Sequence, residues 1–295
     1  MPHGVSVRRV RRALFGRAVA LAASVLAGCA GASAPIPVTD PMAGPPARCR
    51  DGNGPIEILA ADVAIAIDRS ASTRTPTGID IDRNGRVGEF RHSEHTDRGD
   101  SMLAAELAGV QRLIDVARLG GMRFAIVSYS GRQDFPLEDS VTQFVDRRDA
   151  RLEAELTDDP AVLEAAVERV GRRGSNGASS FAPAMRLAVR SLDTGGDLAR
   201  RRRVLFLSDS PTPLRYAPMD RIAYDDPRME LEARRAIAAR VSFHSFGLGV
   251  AAEAAGSPHA LAQIAGATGG TYRAVSDPRD LYCQMLAALA ASDPQ

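Results

Sequence analysis

The chain has 295 residues, with 37 basic residues against 36 acidic ones and a formal net charge of +1. Every basic residue is arginine, which excludes chemistry that needs a lysine, and so even a balance lacks the basic footprint of a nucleic-acid-binding protein. About 230 residues remain beyond the amino-terminal segments described next, enough for one large domain with a substantial core.

Arg8, Arg9, Arg11, Arg12 and Arg17 form a positive start, Ala18 to Val25 a short apolar stretch, and Leu26-Ala27-Gly28-Cys29 follows. This order reads as a signal peptide over residues 1–28, the apolar stretch being well short of the roughly 20 residues that span a bilayer. Leu-Ala-Gly-Cys resembles a bacterial lipobox, which implies cleavage before Cys29 and a membrane-anchoring lipid on its thiol. An ordinary signal peptide cleaved nearby is the alternative. Ala30, where an aspartate is absent, points to the outer membrane if the host has two. Five of the 37 arginines and no acid fall in residues 1–28, leaving 32 against 36 and a net charge of −4 for the exported chain. Residues 29–57 are rich in Pro, Ala and Gly without periodicity and read as a flexible tether.

Beyond the tether, over 58–291, strand and helix patterns alternate. Ile58 to Ile67 is a buried strand; after an insertion at 73–99, Asp100 caps a helix to Leu119 with Leu103, Leu107, Val110 and Ile114 at helical spacing. Phe124 to Tyr129 and Val141 to Val145 are the next strands. Pro160 opens a helix carrying Leu163, Val167 and Val170 and closed by Gly171. Ser179 begins another, with Phe181, Met185, Val189 and Leu192. The run Arg200-Arg201-Arg202-Arg203 reads as a solvated loop, also suited to an acidic partner, before the strand Val204 to Leu207. A helix near Pro227, the strand Val241 to Leu248, a helix from Pro258, the strand Thr271 to Val275 and a closing helix capped by Asp277-Pro278 complete the pattern. Such alternation predicts an α/β fold with a doubly wound, mostly parallel central sheet flanked by helices.

Three short segments carry the functional reading. Asp68-Arg69-Ser70-Ala71-Ser72 follows the first apolar strand, Gly177-Ala178-Ser179-Ser180 opens a helix, and Val204-Leu205-Phe206-Leu207-Ser208-Asp209 ends another buried strand. Side chains beyond the carboxyl ends of parallel strands line the crevice where such sheets bind ligands, and carboxylates with hydroxyls are hard donors for Mg²⁺ or Mn²⁺. Taken singly, each segment also suits a plain turn or helix cap. In this order they resemble the von Willebrand factor type A family and its metal-ion-dependent adhesion site. The resemblance implies a Rossmann-like fold and a divalent ion held by Asp68, Ser70, Ser72, Ser179 and Asp209, with Ser179 where the family usually has Thr. It also implies a protein partner whose carboxylate completes the coordination. Ser210 stands where the family commonly has Gly.

Within the insertion, Asp80, Asp82, Asn84 and Gly85 occupy positions 1, 3, 5 and 6 of a pattern that resembles the front of an EF-hand calcium loop, with Arg86 at the backbone-ligand position. Arg91 replaces the usual twelfth-position Glu, leaving Glu89, Glu94 or Asp97 to supply a carboxylate to Ca²⁺; an acidic Asn-Gly turn without metal is the alternative. His92 and His95 offer a transition-metal pair or simply a solvated loop. With Cys29 assigned to lipid, Cys49 and Cys283 remain for a disulfide, which export permits, or stand as two unpaired thiols at distant sites. A phosphatase of the haloacid dehalogenase type would need a second Asp where Ser70 stands, and a Lys. No G-x-S-x-G elbow supports a hydrolase either. The expectation is therefore a binding module of an exported lipoprotein and not an enzyme. The alternatives are a structural envelope lipoprotein with an empty metal site, then a metal-assisted hydrolase.

Overall fold

The computed structural model describes Cys49 and residues 60–91, 94–117, 120–131, 150–177, 179–209, 227–249 and 260–290. The signal peptide, Cys29, the tether apart from Cys49, His92, Val141 to Val145, Ser210 and Pro258 lie outside the described residues. Among the described residues no helix is long and apolar enough to cross a membrane.

Five parallel strands form the sheet: β1 (Ala61–Asp68), β4 (Arg123–Tyr129), β6 (Arg201–Ser208), β7 (Val241–Leu248) and β8 (Tyr272–Val275). An antiparallel edge strand, β5 (Ala150–Thr157), completes the order β5-β4-β1-β6-β7-β8. Two-residue strands β2 (Phe90–Arg91) and β3 (Glu94–His95) pair in the insertion. Helices α1 (Met102–Ala117), α2 (Pro160–Arg173) and α6 (Leu281–Ala290) cover one face; α3 (Phe181–Gly195), α4 (Pro227–Ala238) and α5 (Ala260–Ala267) cover the other. β1 is central and buried on both faces, which is why Val63 to Ile67 form an apolar run with no polar alternation between Asp62 and Asp68. Val63, Ile65 and Ile67 pack toward α1, while Ala64 and Ala66 share the opposite layer with Tyr129, Phe181 and Phe206. There the rings of Tyr129 and Phe206 stack with centroids 5.1 Å apart.

Several boundaries differ from the sequence reading for local reasons. Asp100 does not cap α1: Ser101 does, its hydroxyl accepting the Ala104 N–H at 3.2 Å, while the Asp100 carboxylate turns into the insertion. α2 runs past Gly171 to Arg173 and closes at Gly174, whose N–H reaches the carbonyls of Val170 and Gly171. α3 begins at Phe181, not at Ser179. β5 was not anticipated, although Leu152, Ala154 and Leu156 alternate with Arg151, Glu153 and Glu155 in the period of a half-exposed edge strand.

The arginine run is the largest correction. Arg201, Arg202 and Arg203 lie within β6, and Arg203 is buried, donating through Nη1 to the carbonyls of Ala288 and Leu289 at 2.7 Å each. Those carbonyls end α6 and have no partner within the helix, so the guanidinium acts as its C-cap. Arg200 pairs instead with the buried Asp62 at 2.8 Å. Near the other end of α6, Cys283 is joined to Cys49 with Cα atoms 5.1 Å apart across a separation of 234 residues. Closing so long a loop stabilises the fold by about 5.5 kcal/mol on the chain-entropy account.

Candidate metal centre

The site begins where β1 stops. Asp68 is its last residue, level with Tyr129 on β4, and the chain then leaves the sheet through Arg69, whose N–H donates to the Tyr129 carbonyl at 2.7 Å. The Asp68 carboxylate is fully buried, and one oxygen accepts the Ser70 N–H at 2.7 Å. This short turn brings Ser70 and Ser72 to the same side, their hydroxyls 2.9 Å apart. Ser72 Oγ in turn donates to Asp209 Oδ1 at 2.8 Å. The other Asp68 oxygen faces Ser179 Oγ at 3.5 Å and accepts a hydrogen bond from Ser208 Oγ at 2.6 Å. All five residues expected at the metal site are therefore linked in one polar cluster.

Ser179 is brought there by a backbone lock. The Ala71 N–H donates to the Gly177 carbonyl at 2.7 Å, the Asn176 N–H to the Arg69 carbonyl at 2.6 Å, and Arg69 Nε to the Gly174 carbonyl at 3.0 Å. Thr73 Oγ1 adds bonds to the Ser70 carbonyl at 2.8 Å and to Ser175 Oγ at 2.7 Å. Gly177 has φ of +78°, and a Cβ there would lie 2.1 Å from the Gly131 carbonyl oxygen, so no other residue fits.

Two residues of the cluster were not anticipated. Ser208 precedes Asp209 and reaches Asp68 because β1 and β6 are adjacent parallel strands, a relation invisible without the strand order. Glu106 on α1 is fully buried, and its Oε2 accepts the Asp68 N–H at 3.1 Å. Its signal was present: it lies three residues after Leu103 and four before Val110, on the helix stripe that faces the core.

Burial pushes the Asp68 carboxyl above its ordinary range, against hydrogen bonds from Ser208 and Ser70 that favour the charged form. Asp209 is pushed up to about 7 by burial and by the charge of Asp68. Glu106 is pushed well up by burial, then by the charges of Asp68 and Asp209. The charge of Asp68 thus raises both other acids, and that of Asp209 raises Glu106, within a nest of hydroxyls. Such an all-oxygen set suits a hard divalent cation, whose charge would relieve the repulsion.

In the insertion, Asp80, Asp82 and Asp100 bring carboxylate oxygens within 4.8 Å of one another. Asp80 accepts the N–H groups of Asn84 and Gly85 at 3.1 and 2.9 Å, and Asp82 that of Asn84 at 3.1 Å. The Arg86 N–H caps Asn84 Oδ1 at 2.9 Å. Glu89 lies apart from this cluster and pairs with Arg91 at 2.7 Å. The third carboxylate is instead Asp100, whose oxygens also clamp the loop through the N–H groups of Ile81 and Gly88 at 2.5 and 2.6 Å. Asp97 is joined through Asn84 Nδ2 at 2.5 Å. Burial raises the Asp82 carboxyl, followed by the charges of Asp97, Asp100 and Asp80. His95 accepts the Asp97 N–H through Nδ1 at 3.1 Å.

Neither a protein-family profile nor a curated protein matches the sequence. Among solved structures, the chain is similar to a von Willebrand factor type A protein from Catenulispora acidiphila, with 20% identity over 79% of this chain and 42% of that one and a TM-score of 0.51. The pilus adhesin SpaC from Lactobacillus rhamnosus GG, in its open conformation, matches with 11% identity over 79% and 30% and a TM-score of 0.51. An aerotolerance-related membrane protein from Bacteroides fragilis matches with 12% identity over 78% and 98% and a TM-score of 0.50. The chain spans less than half of the Catenulispora protein and less than a third of the adhesin. At such identities the likeness speaks for architecture alone, and the six-stranded, mostly parallel sheet with helices on both faces agrees with it. The chain therefore carries the von Willebrand factor type A fold.

Proposed function

We propose that the chain is a metal-dependent, adhesion-type protein-binding module of an exported lipoprotein. Asp68, Ser70, Ser72, Ser179 and Asp209 would hold Mg²⁺ or Mn²⁺, and the bound ion would offer an open coordination position to a carboxylate from a partner protein. The observation that carries this is the convergence of two carboxylates and three hydroxyls, from three distant segments, at the crest of the sheet. Among the described residues, the charges that act on Asp209 and Glu106 are those of other carboxylates. The solved neighbours include a pilus adhesin, in keeping with a protein-interaction role.

The same reading makes the chain a binder and not an enzyme, for want of a Lys and of an Asp two residues after Asp68, where Ser70 stands, to act in transfer chemistry. It places a lipid on Cys29 and the domain at the cell envelope, on the outer membrane where there are two. It also assigns Ca²⁺ to the insertion, held by Asp80, Asp82 and Asp100 and not by Glu89.

Calorimetric titration of Mg²⁺ and Mn²⁺ into the exported chain, with its disulfide intact, tests the reading against Asp68→Ala. Uptake of one ion by the wild type and none by the variant is expected. Absence of uptake by the wild type would leave a structural envelope protein.

A further inference from the structure

Glu106 poses a problem that its hydrogen bond does not solve. Its side chain is fully buried on α1, one oxygen accepts the Asp68 N–H at 3.1 Å, and the other, Oε1, has no hydrogen-bond partner among the described residues. A glutamine would accept that N–H equally well without bringing an ionisable group into the core. Charging a buried carboxyl that lacks a cationic partner is among the costliest things a fold can do, and here two more acids lie beside it. The hydrogen bond explains an acceptor at this position. It does not explain an acid.

The charge has a use if a cation sits nearby. Glu106 touches the backbone of Asp68 itself, so its carboxylate stands directly behind the residue at the head of the metal cluster. In a buried setting, with water largely excluded, an added negative charge at this range acts strongly on a divalent ion. Resting on the cation reading above, we propose that Glu106 is a third acid of the metal centre, a positioning residue whose negative charge helps to retain the divalent cation. The site would then be biased toward doubly charged ions, because a monovalent ion leaves more of the three-acid repulsion in place.

Two variants separate charge from hydrogen bonding. Glu106→Gln keeps the acceptor and removes the charge; Glu106→Asp keeps the charge and shortens the reach to the Asp68 N–H. Mn²⁺ is titrated calorimetrically into the exported chain, its disulfide intact, and melting is followed in parallel in a chelator. Glu106→Gln is expected to bind Mn²⁺ about tenfold or more weakly, while melting in chelator no lower than the wild type. Glu106→Asp is expected to stay within about threefold of the wild-type affinity. Wild-type affinity in Glu106→Gln, a loss in Glu106→Asp as large as that in Glu106→Gln, or a Glu106→Gln protein that melts lower in chelator would each overturn the inference while leaving the cation reading intact. A wild type that takes up no Mn²⁺ would remove both.

Discussion

Ser72 and Asp209, 137 residues apart in sequence, meet at 2.8 Å, the serine hydroxyl donating to a carboxylate oxygen. This contact joins the turn after β1 to the end of β6, and through Ser70 and Asp68 it ties together the two central strands of the sheet. The charge of Asp68 repels an acid in that position.

Asp209→Asn keeps the acceptor for Ser72 and removes one charge. Melting without divalent ions is expected to stay unchanged or rise slightly, while the gain on adding Mn²⁺ disappears. For the wild type, an ion at a hundred times its dissociation constant raises stability by about 2.7 kcal/mol. Thermal denaturation with and without Mn²⁺ reads both effects, and an undiminished shift in the variant would exclude Asp209 from the site.

Gly177→Ala is expected to destabilise the fold by about 2–4 kcal/mol, since a Cβ meets the Gly131 carbonyl and the backbone there is left-handed. Relaxation of the loop would carry Ser179 away from Asp68, so Mn²⁺ affinity should fall as well. Urea denaturation and titration check the two parts. A loss under about 0.5 kcal/mol would mean that the loop yields easily.

Acid sensitivity should depend on Asp62. Burial tends to raise its carboxyl, but hydrogen bonds from Arg123 and the Asp197 N–H, with the charges of Arg123 and Arg200, hold it below the ordinary range. A carboxyl lowered in the folded state contributes stability that is present above its unfolded pKa of about 3.9 and is lost as pH falls through the lower folded value. Asp62→Asn should therefore be less stable than the wild type at neutral pH, with the gap narrowing as pH drops below about 4. Chemical denaturation across pH 2–7 would show it; a gap that stays constant would contradict the assignment.

Asp82→Ala should abolish Ca²⁺ uptake by the insertion without altering Mn²⁺ uptake at Asp68, the two clusters being composed of different residues. Competition between the ions in calorimetry distinguishes the sites. Unchanged Ca²⁺ affinity in the variant would reduce Asp80, Asp82 and Asp100 to a hydrogen-bonded turn.

By itself the sequence determined the alternation of strands and helices, the double burial of the first strand and the acids and serines at the strand ends. These are local matters: apolar period, caps and turn residues are written within a few positions of one another. Tertiary structure alone decided what the distant residues do. Asp100 reads as a helix cap, yet clamps a loop through Ile81 and Gly88. Arg203 belongs to a run that reads as solvated, yet caps a helix 85 residues further on. Glu106 and Ser208 join Asp68 because α1 packs on β1 and β6 lies next to it. A buried polar group takes whichever partner the packing brings within reach, and that choice is settled only when the layers close.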